Sequence, residues 1–176
     1  MDDDAKKTAL RMIPYGIYVM TAKDGDDSIA AATVNWVTQT SFSPPLIVVG
    51  VKADSGALNA VSETRAFALN MLGKGQQGQA FAFFKPAEVD GDTISGEPVT
   101  AGATGSPLLR NAPAALKCKI VKIVGQGDHH IVVGEVVDVH QSNAPEGRAD
   151  EAILEMKRPL CWFAPMAIFS SRTSKN

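Results

Sequence analysis

Short apolar runs separated by turn-forming residues dominate the pattern of this chain. Residues 46–51 (LIVVGV) are almost continuously aliphatic, whereas residues 115–124 (ALKCKIVKIV) begin by alternating apolar and lysine positions. Alternation is typical of a strand buried on one face, and a short continuous apolar run is typical of a strand buried on both faces, although a buried helix gives the same pattern. Strands are therefore predicted over residues 16–22, 30–36, 46–51, 67–71, 115–124, 131–139, 160–163 and 167–169.

Turn signals connect these strands as hairpins rather than as βαβ units. Asp24-Gly25 predicts a tight turn between the first two strands, and Pro44-Pro45 predicts the turn before the third, since proline cannot donate a ladder hydrogen bond. Residues 86–113 are rich in Gly, Pro, Ser and Thr, which predicts a long surface excursion with at most short strands that could cover a ligand or a partner subunit. Helices are predicted over residues 2–12, 56–64, 76–84 and 149–157. The pattern favours a mainly β fold, a barrel with a few short helices at its mouth.

The composition is that of an ordinary globular protein. The chain has 176 residues, is 45% apolar and 20% charged, and carries a net charge of −2. This charge, without a dense Lys/Arg stripe, argues against nucleic-acid binding, and no apolar run reaches the roughly 18–20 residues that span a bilayer. The acidic N-terminus lacks the apolar core of a secretory signal, so a cytoplasmic protein is expected. We predict one domain over residues 1–169 and a mobile C-terminal tail over residues 170–176.

Residues 52–56 (KADSG) place a cation and a hydroxyl directly before a predicted helix. The first amides of a helix have no intrahelical acceptor, and the helix dipole favours an anion there. Lys52 could therefore attract a phosphate and Ser55 could donate to it. The alternative, which this segment alone leaves open, is that Ser55 is only an N-cap and Lys52 a solvated side chain.

Thr33, Val34, Asn35 and Trp36 form a second candidate just upstream. Thr33 and Asn35 alternate with Val34, so they share one face of a strand and could pair with the polar edge of a planar ring. Trp36 could pack against that ring. The alternative is that Trp36 is a core residue and that Thr33 and Asn35 lie on the solvent-exposed face of the strand. Taken with the anion site, these residues predict one pocket for a flat, phosphate-bearing ligand.

His129 is a third candidate, in the turn Gly127-Asp128-His129-His130. It could lie at the barrel mouth and contact a reductant, or it could be an exposed turn histidine. No metal site is predicted, because adjacent histidines rarely converge on one ion and no Cys or carboxylate has metal-ligand spacing.

The sequence shows no convincing nucleophile and base. No Cys-His pairing, G-x-S-x-G elbow or pair of catalytic carboxylates stands out. A pocket with polar edges but no acid or nucleophile indicates that a cofactor performs the chemistry. Cys118 and Cys161 allow a disulfide, but two reduced core thiols are favoured in a cytoplasmic protein.

At this point the chain resembles the flavin reductase-like, FMN-binding split-barrel family, and within it the branch of flavoredoxins and reductases associated with flavo-diiron proteins. The motifs are individually weak, but they occur in the family's order over about residues 12–163. They are PYGIYVMT at 14–21, TVNW at 33–36 with SPPL at 43–46, Lys52 and Ser55, FALNML at 67–72 with Gln76, PLL at 107–109 with LKC at 116–118, GDH at 127–129 with GEV at 134–136, and Pro159-Leu160.

The resemblance implies a split β-barrel homodimer that binds FMN near the subunit interface. By this resemblance, His129 is a candidate catalytic contact with the nicotinamide and the flavin. The implied cofactor-binding residues are Thr33, Val34, Asn35, Trp36, Lys52, Ala53, Ser55 and Gln76. Residues 33–36 would hold the isoalloxazine edge, and Lys52 and Ser55 would hold the phosphate.

The implied activity is that of an FMN-dependent NAD(P)H:flavin oxidoreductase. Hydride would pass from nicotinamide C4 to flavin N5, and the electrons would pass onward to free flavin or to a redox protein. Two alternatives stay open: an FMN-binding electron carrier without a nicotinamide site of its own, and a non-catalytic split-barrel dimer that uses the pocket for another anion or for partner docking.

Overall fold

The structure, a computed structural model, describes residues 1–25, 28–142 and 144–154. The helices are α1 (Asp3–Leu10), α2 (Gly56–Thr64), α3 (Gln77–Ala82) and α4 (Ala149–Ala152). The strands are β1 (Tyr18–Asp24), β2 (Ser28–Val34), β3 (Val37–Phe42), β4 (Pro45–Lys52), β5 (Ala66–Met71), β6 (Val89–Asp90), β7 (Thr93–Ile94), β8 (Glu97–Thr100), β9 (Leu108–Leu109), β10 (Ala114–Val124) and β11 (His129–Gln141). Among the described residues, no helix has the length and apolar character that crossing a membrane requires.

Seven strands form one antiparallel sheet in the order β2-β1-β5-β10-β11-β4-β3. The β1–β2 hairpin pairs Tyr18 with Val34, which confirms the predicted return of the second strand beside the first. Strand β11 pairs with β4, and this register sets His129 opposite Lys52. Two candidate residues that are far apart in the sequence therefore become neighbours.

Residues 86–113 form a second, small antiparallel sheet in the order β6-β7-β8-β9. This agrees with the predicted excursion of short strands. Ile94 and Leu109 of this sheet are buried in one hydrophobic cluster with Ile17 and Val19. The excursion therefore covers part of the large sheet.

Alternate residues of β1 enter two different hydrophobic cores, because successive strand side chains point to opposite faces. Met20 joins the larger core, where Leu58 and Val61 of α2 are also buried. Val19 joins the smaller core, together with Ala80 of α3. Strands β1 and β5 are buried on both faces, whereas β4, the most continuously aliphatic run, alternates between buried and half-buried positions.

Helix α2 has the predicted bounds, and its first residue follows the N-cap Ser55. The Ser55 Oγ accepts a hydrogen bond from the Leu58 amide at 3.2 Å. The helix ends at Arg65, which adopts a left-handed conformation with φ of 57°. Capping at the start and a left-handed residue at the end are the usual means of terminating a helix.

Strand β3 corrects the sequence prediction. The strand predicted over residues 30–36 ends at Val34, and Val37–Phe42 forms a separate strand that the pattern did not indicate. Strand β3 lies at an edge of the sheet and is mostly exposed, so it lacks the apolar alternation on which the prediction relied.

The fold is mainly β with a few short helices, as predicted, but the strands that the structure describes, all before residue 155, do not close into a barrel. The two edges of the large sheet are β2 and β3. The predicted strands over residues 160–163 and 167–169, the tail over residues 170–176 and Cys161 lie outside the described residues. The assignment of residues 1–169 to a single domain stays a prediction.

Candidate functional site

A cleft of about 540 Å³ opens where α2 begins, and we call it the α2 cleft. One wall is β2, a second is the turn from β4 to α2, and a third is the chain that follows α3. The volume lies within the roughly 300–1,000 Å³ of small-molecule sites. Residues on the three walls include Ala30, Ala32, Lys52, Ser55, Phe84 and Lys85.

Lys52 and Ser55 both line the α2 cleft. The Ser55 hydroxyl donates to the Lys52 carbonyl oxygen at 2.7 Å while it accepts from the Leu58 amide. Ser55 is thus an N-cap whose proton is already committed, so donation to a ligand would break its bond to Lys52. The first-turn amides of α2, which have no intrahelical acceptor, are the more direct donors to an anion here.

Asp54, which also lines the cleft, forms an ion pair with Lys52. The Lys52 Nζ and the Asp54 Oδ1 are 2.6 Å apart. The hydrogen bond from Lys52, assisted by the positive fields of Lys52 and His129, lowers the pKa of the Asp54 carboxyl below its ordinary value. Asp54 is therefore ionised at neutral pH, and its charge offsets that of the lysine.

Trp36 and His129 form an aromatic pair next to Lys52. Their ring centroids are 4.5 Å apart in an edge-to-face arrangement. Gly50 leaves room for the tryptophan, since a Cβ there would lie only 3.1 Å from the Trp36 side chain. The His129 Nδ1 lies 3.1 Å from the Asp128 Oδ1, and this hydrogen bond lowers the pKa of the Asp128 carboxyl. Trp36 remains 44% exposed, so a planar ligand could reach it.

The remaining predicted site residues hold structural elements around the cleft. The Thr33 Oγ1 donates to the Ala80 carbonyl of α3 at 2.7 Å, and Val34 is buried in the larger core. The Asn35 carbonyl accepts from the Val37 amide. The Ala53 amide donates to the Asp128 carbonyl at 2.9 Å, which ties the turn before α2 to the turn before β11. The structure brings Lys52, Ala53, Ser55, Trp36 and His129 together through strand pairing and ring contact, but of these only Lys52 and Ser55 line the α2 cleft.

Gln76 lies apart from that group. Its Oε1 accepts from the Gly73 amide at 2.6 Å, and its Nε2 donates to the Asn111 carbonyl at 2.8 Å. The side chain thus braces the turn that leads from β5 into α3, and the residues lining the α2 cleft do not include it. Its role as a flavin contact stays a prediction.

The sequence reasoning missed the third wall of the cleft. Phe83, Phe84 and Lys85 follow α3 and line the same cleft as Lys52. The signal that could have found them is the aromatic pair followed by a cation, since such a segment can cover a ring and attract its phosphate. Asp24 also lines the cleft, so its walls carry two lysines and two aspartates.

The cleft can hold an anionic ligand and cover an apolar ring, but it contains no evident nucleophile. Cys118 is buried in the larger core, where burial raises the pKa of its thiol to about 12. Among the described residues, no group of three or more His, Cys, Asp or Glu side chains is placed to hold a metal ion. The chemistry of the donors, a lysine beside a helix N-terminus, fits a flavin phosphate.

Comparison with known proteins gives the family. Residues 10–165 match the model of the flavin reductase like domain, and the chain belongs to that family. The chain is 28% identical over 144 residues to the NADH:FMN oxidoreductase of Rhodococcus erythropolis, covering 81% of this chain and 73% of that protein. It is 34% identical over 122 residues to the FMN reductase (NADH) RutF of Pseudomonas syringae pv. syringae (strain B728a), covering 69% of this chain and 68% of that protein.

A solved structure supports the same assignment. The NADH:FAD oxidoreductase SgcE6 of Streptomyces globisporus C-1027, in complex with NAD and FAD fragments, superposes with a TM-score of 0.66. That alignment has 28% identity and covers 80% of this chain and 86% of the other. The resemblance to the flavin reductase-like family is confirmed, and the assignment to the flavoredoxin branch stays a prediction.

Proposed function

We propose that this protein is an NAD(P)H-dependent flavin reductase that binds the phosphate of its flavin in the α2 cleft. The observation that carries the proposal is the convergence of Lys52, Lys85 and the first turn of α2 on one cleft, in a member of the flavin reductase like family. The relatives named as NADH:FMN and NADH:FAD oxidoreductases support a nicotinamide as the electron donor.

In this proposal the phosphate lies against the start of α2. The first-turn amides donate to its oxygens, and the Lys52 ammonium adds Coulomb attraction. Ser55 acts through its two hydrogen bonds, which join the Lys52 carbonyl to the Leu58 amide and so keep the turn in a conformation that presents these donors. Ala53 contributes by tying the same turn to Asp128.

The ring system would extend along β2 towards the aromatic pair. Ala30 and Ala32 have small side chains that leave room for a planar group. Trp36 and His129 would contact the exposed edge of the flavin or the nicotinamide, with contacts from Thr33, Val34, Asn35 and Gln76 as predicted from the resemblance. A bound flavin supplies the redox chemistry, and the protein supplies position, charge and exclusion of water.

The finer assignments belong to the same proposal. We propose FMN as the flavin, free flavin or a redox protein as the electron acceptor, a homodimer as the assembly and the cytoplasm as the location, with neither nucleic acid nor membrane as a partner. The phosphate-binding donors favour FMN over riboflavin. Phe42 and Val139 are 89% and 56% exposed, and apolar side chains this exposed are available to a second copy of the chain.

Flavin titration tests the phosphate assignment. FMN and riboflavin are each titrated into the purified protein, and binding is followed by quenching of flavin fluorescence. The double variant Lys52→Ala, Ser55→Ala should weaken FMN about tenfold or more, because a charge-assisted interaction and the ordered turn are both lost, and should weaken riboflavin less. Lys119→Ala, which removes an exposed lysine of β10, is the control. Equal losses for both flavins would show that the phosphate lies elsewhere.

Anaerobic addition of NADH or NADPH tests the reaction itself. Bleaching of the bound flavin's visible absorbance is expected. A protein that binds FMN but does not bleach would be an electron carrier that needs another reductase. A protein that takes up no flavin would favour the third hypothesis, in which the pocket binds another anion or a partner.

A further inference from the structure

Asp54 forms an ion pair with Lys52, the lysine to which the proposed function assigns the ligand phosphate. The two side chains meet at 2.6 Å, with the Asp54 side chain 73% exposed and that of Lys52 28% exposed. Both residues line the α2 cleft. The charge of the lysine is therefore already balanced by a carboxylate from the protein itself.

The backbone around this ion pair is held by several bonds. The Lys52 carbonyl accepts from the Ser55 amide at 3.2 Å and from the Ser55 hydroxyl at 2.7 Å. Lys52 is also paired with His129 across the β4–β11 ladder. Since Asp54 lies in the same short turn, the two side chains stay within reach of each other. A phosphate that binds the lysine must displace Asp54 or share the ammonium with it.

We propose that Asp54 is a specificity-determining residue, whose carboxylate competes with the ligand phosphate for Lys52 and lowers the preference of the α2 cleft for FMN over riboflavin. Coulomb repulsion between the Asp54 carboxylate and a phosphate acts in the same direction. Riboflavin has no phosphate and meets neither effect. This inference rests on the proposed function, since it takes the cleft to be the flavin site.

The competition bears on how the flavin is used. Removing like-charge repulsion and freeing a paired lysine both strengthen the binding of an anion. With Asp54 present, the phosphate is held less firmly than Lys52 and the α2 N-terminus would allow alone. Asp54 therefore favours a flavin that exchanges as a substrate over one that stays bound through turnover.

The test is the ratio of the dissociation constants of riboflavin and FMN, measured by fluorescence quenching at low ionic strength. In Asp54→Asn, FMN should bind about three- to tenfold more tightly, while riboflavin changes by less than about twofold. Asp24→Asn is the matched control, since it removes a carboxylate from the same cleft that forms no ion pair with Lys52 among the described residues. The control should shift the ratio less.

The same substitution in a Lys52→Ala protein separates competition for Lys52 from direct repulsion between Asp54 and the phosphate. In Lys52→Ala there is no ammonium for Asp54 to release. Adding Asp54→Asn to that variant should therefore strengthen FMN binding much less than Asp54→Asn does in the wild-type protein. A gain of full size in the Lys52→Ala protein, or equal gains from Asp24→Asn and Asp54→Asn, would overturn the inference and leave the proposed function standing. A wild-type protein that binds neither flavin would overturn the proposed function, and the inference with it.

Discussion

Replacement of Asn70 by leucine should strongly destabilise the protein. The Asn70 Nδ2 donates to the Val19 carbonyl at 3.0 Å and to the Thr21 Oγ1 at 3.3 Å, and its Oδ1 accepts from the Leu109 amide at 2.9 Å. Thr21 in turn donates to the Pro107 carbonyl at 2.6 Å. Asn70 and Thr21 have no exposed surface, so water cannot replace the lost partners. The Asn70 side chain thus joins β5, β1 and β9 near the end of the segment 86–113.

The magnitude follows from the groups that lose partners. Leucine has as many side-chain heavy atoms as asparagine and leaves no cavity, so the cost comes mainly from the lost hydrogen bonds. A buried amide left without its acceptor, here that of Leu109, costs about 1–3 kcal/mol, and the remaining lost bonds bring the total to about 2–4 kcal/mol. Since a domain of this size loses about 2–4 °C in Tm per kcal/mol, the Tm should fall by about 4–16 °C.

Urea and thermal unfolding, followed by circular dichroism, provide the assay. Asn59→Leu is the matched control, because Asn59 lies on the exposed face of α2. That control should change the free energy of unfolding by less than about 0.5 kcal/mol. Equal unfolding midpoints for the two variants would refute the argument that the Asn70 network stabilises the fold.

Two further predictions concern the larger core. Gly134→Ala should destabilise by about 1–3 kcal/mol, because its Cβ would lie 2.7 Å from the buried Phe67 ring. Gly78→Ala in α3 is the control: nothing lies within 4 Å of the added Cβ, so this variant should be neutral or stabilising. Similar urea midpoints for the two variants would contradict the prediction. In a Cys161→Ser variant, Cys118 should resist thiol reagents at pH 8 until the protein unfolds, since burial raises its pKa to about 12 and keeps the thiol protonated. Rapid labelling of the native protein would contradict its burial.

Local features of the candidate site could be predicted because they depend on residues adjacent in the chain. A serine followed by small and apolar residues at helical spacing predicted α2 with its observed bounds, Gly56–Thr64. The same local order predicted that Lys52 and Ser55 would face one site, and both line the α2 cleft. The hairpin of β1 and β2 followed from Asp24-Gly25 in the same way.

The other walls of the cleft depend on pairings between distant residues. His129 meets Trp36 and Lys52 only because β11 pairs with β4 in one register, and a shift of one residue would turn its side chain to the other face. Lys85 enters the cleft only because the chain after α3 lies beside β2. Neither contact leaves a periodic signal in the sequence.

The amino-acid sequence by itself determined the mainly β class, the helix that begins after Ser55, and the family. The tertiary structure decided the open edges of the sheet, the edge strand β3 and the balance of charge in the cleft. The physical reason is that local propensity and hydrophobic period depend on neighbouring residues, whereas strand order, register and the pairing of charges depend on which distant segments are packed together.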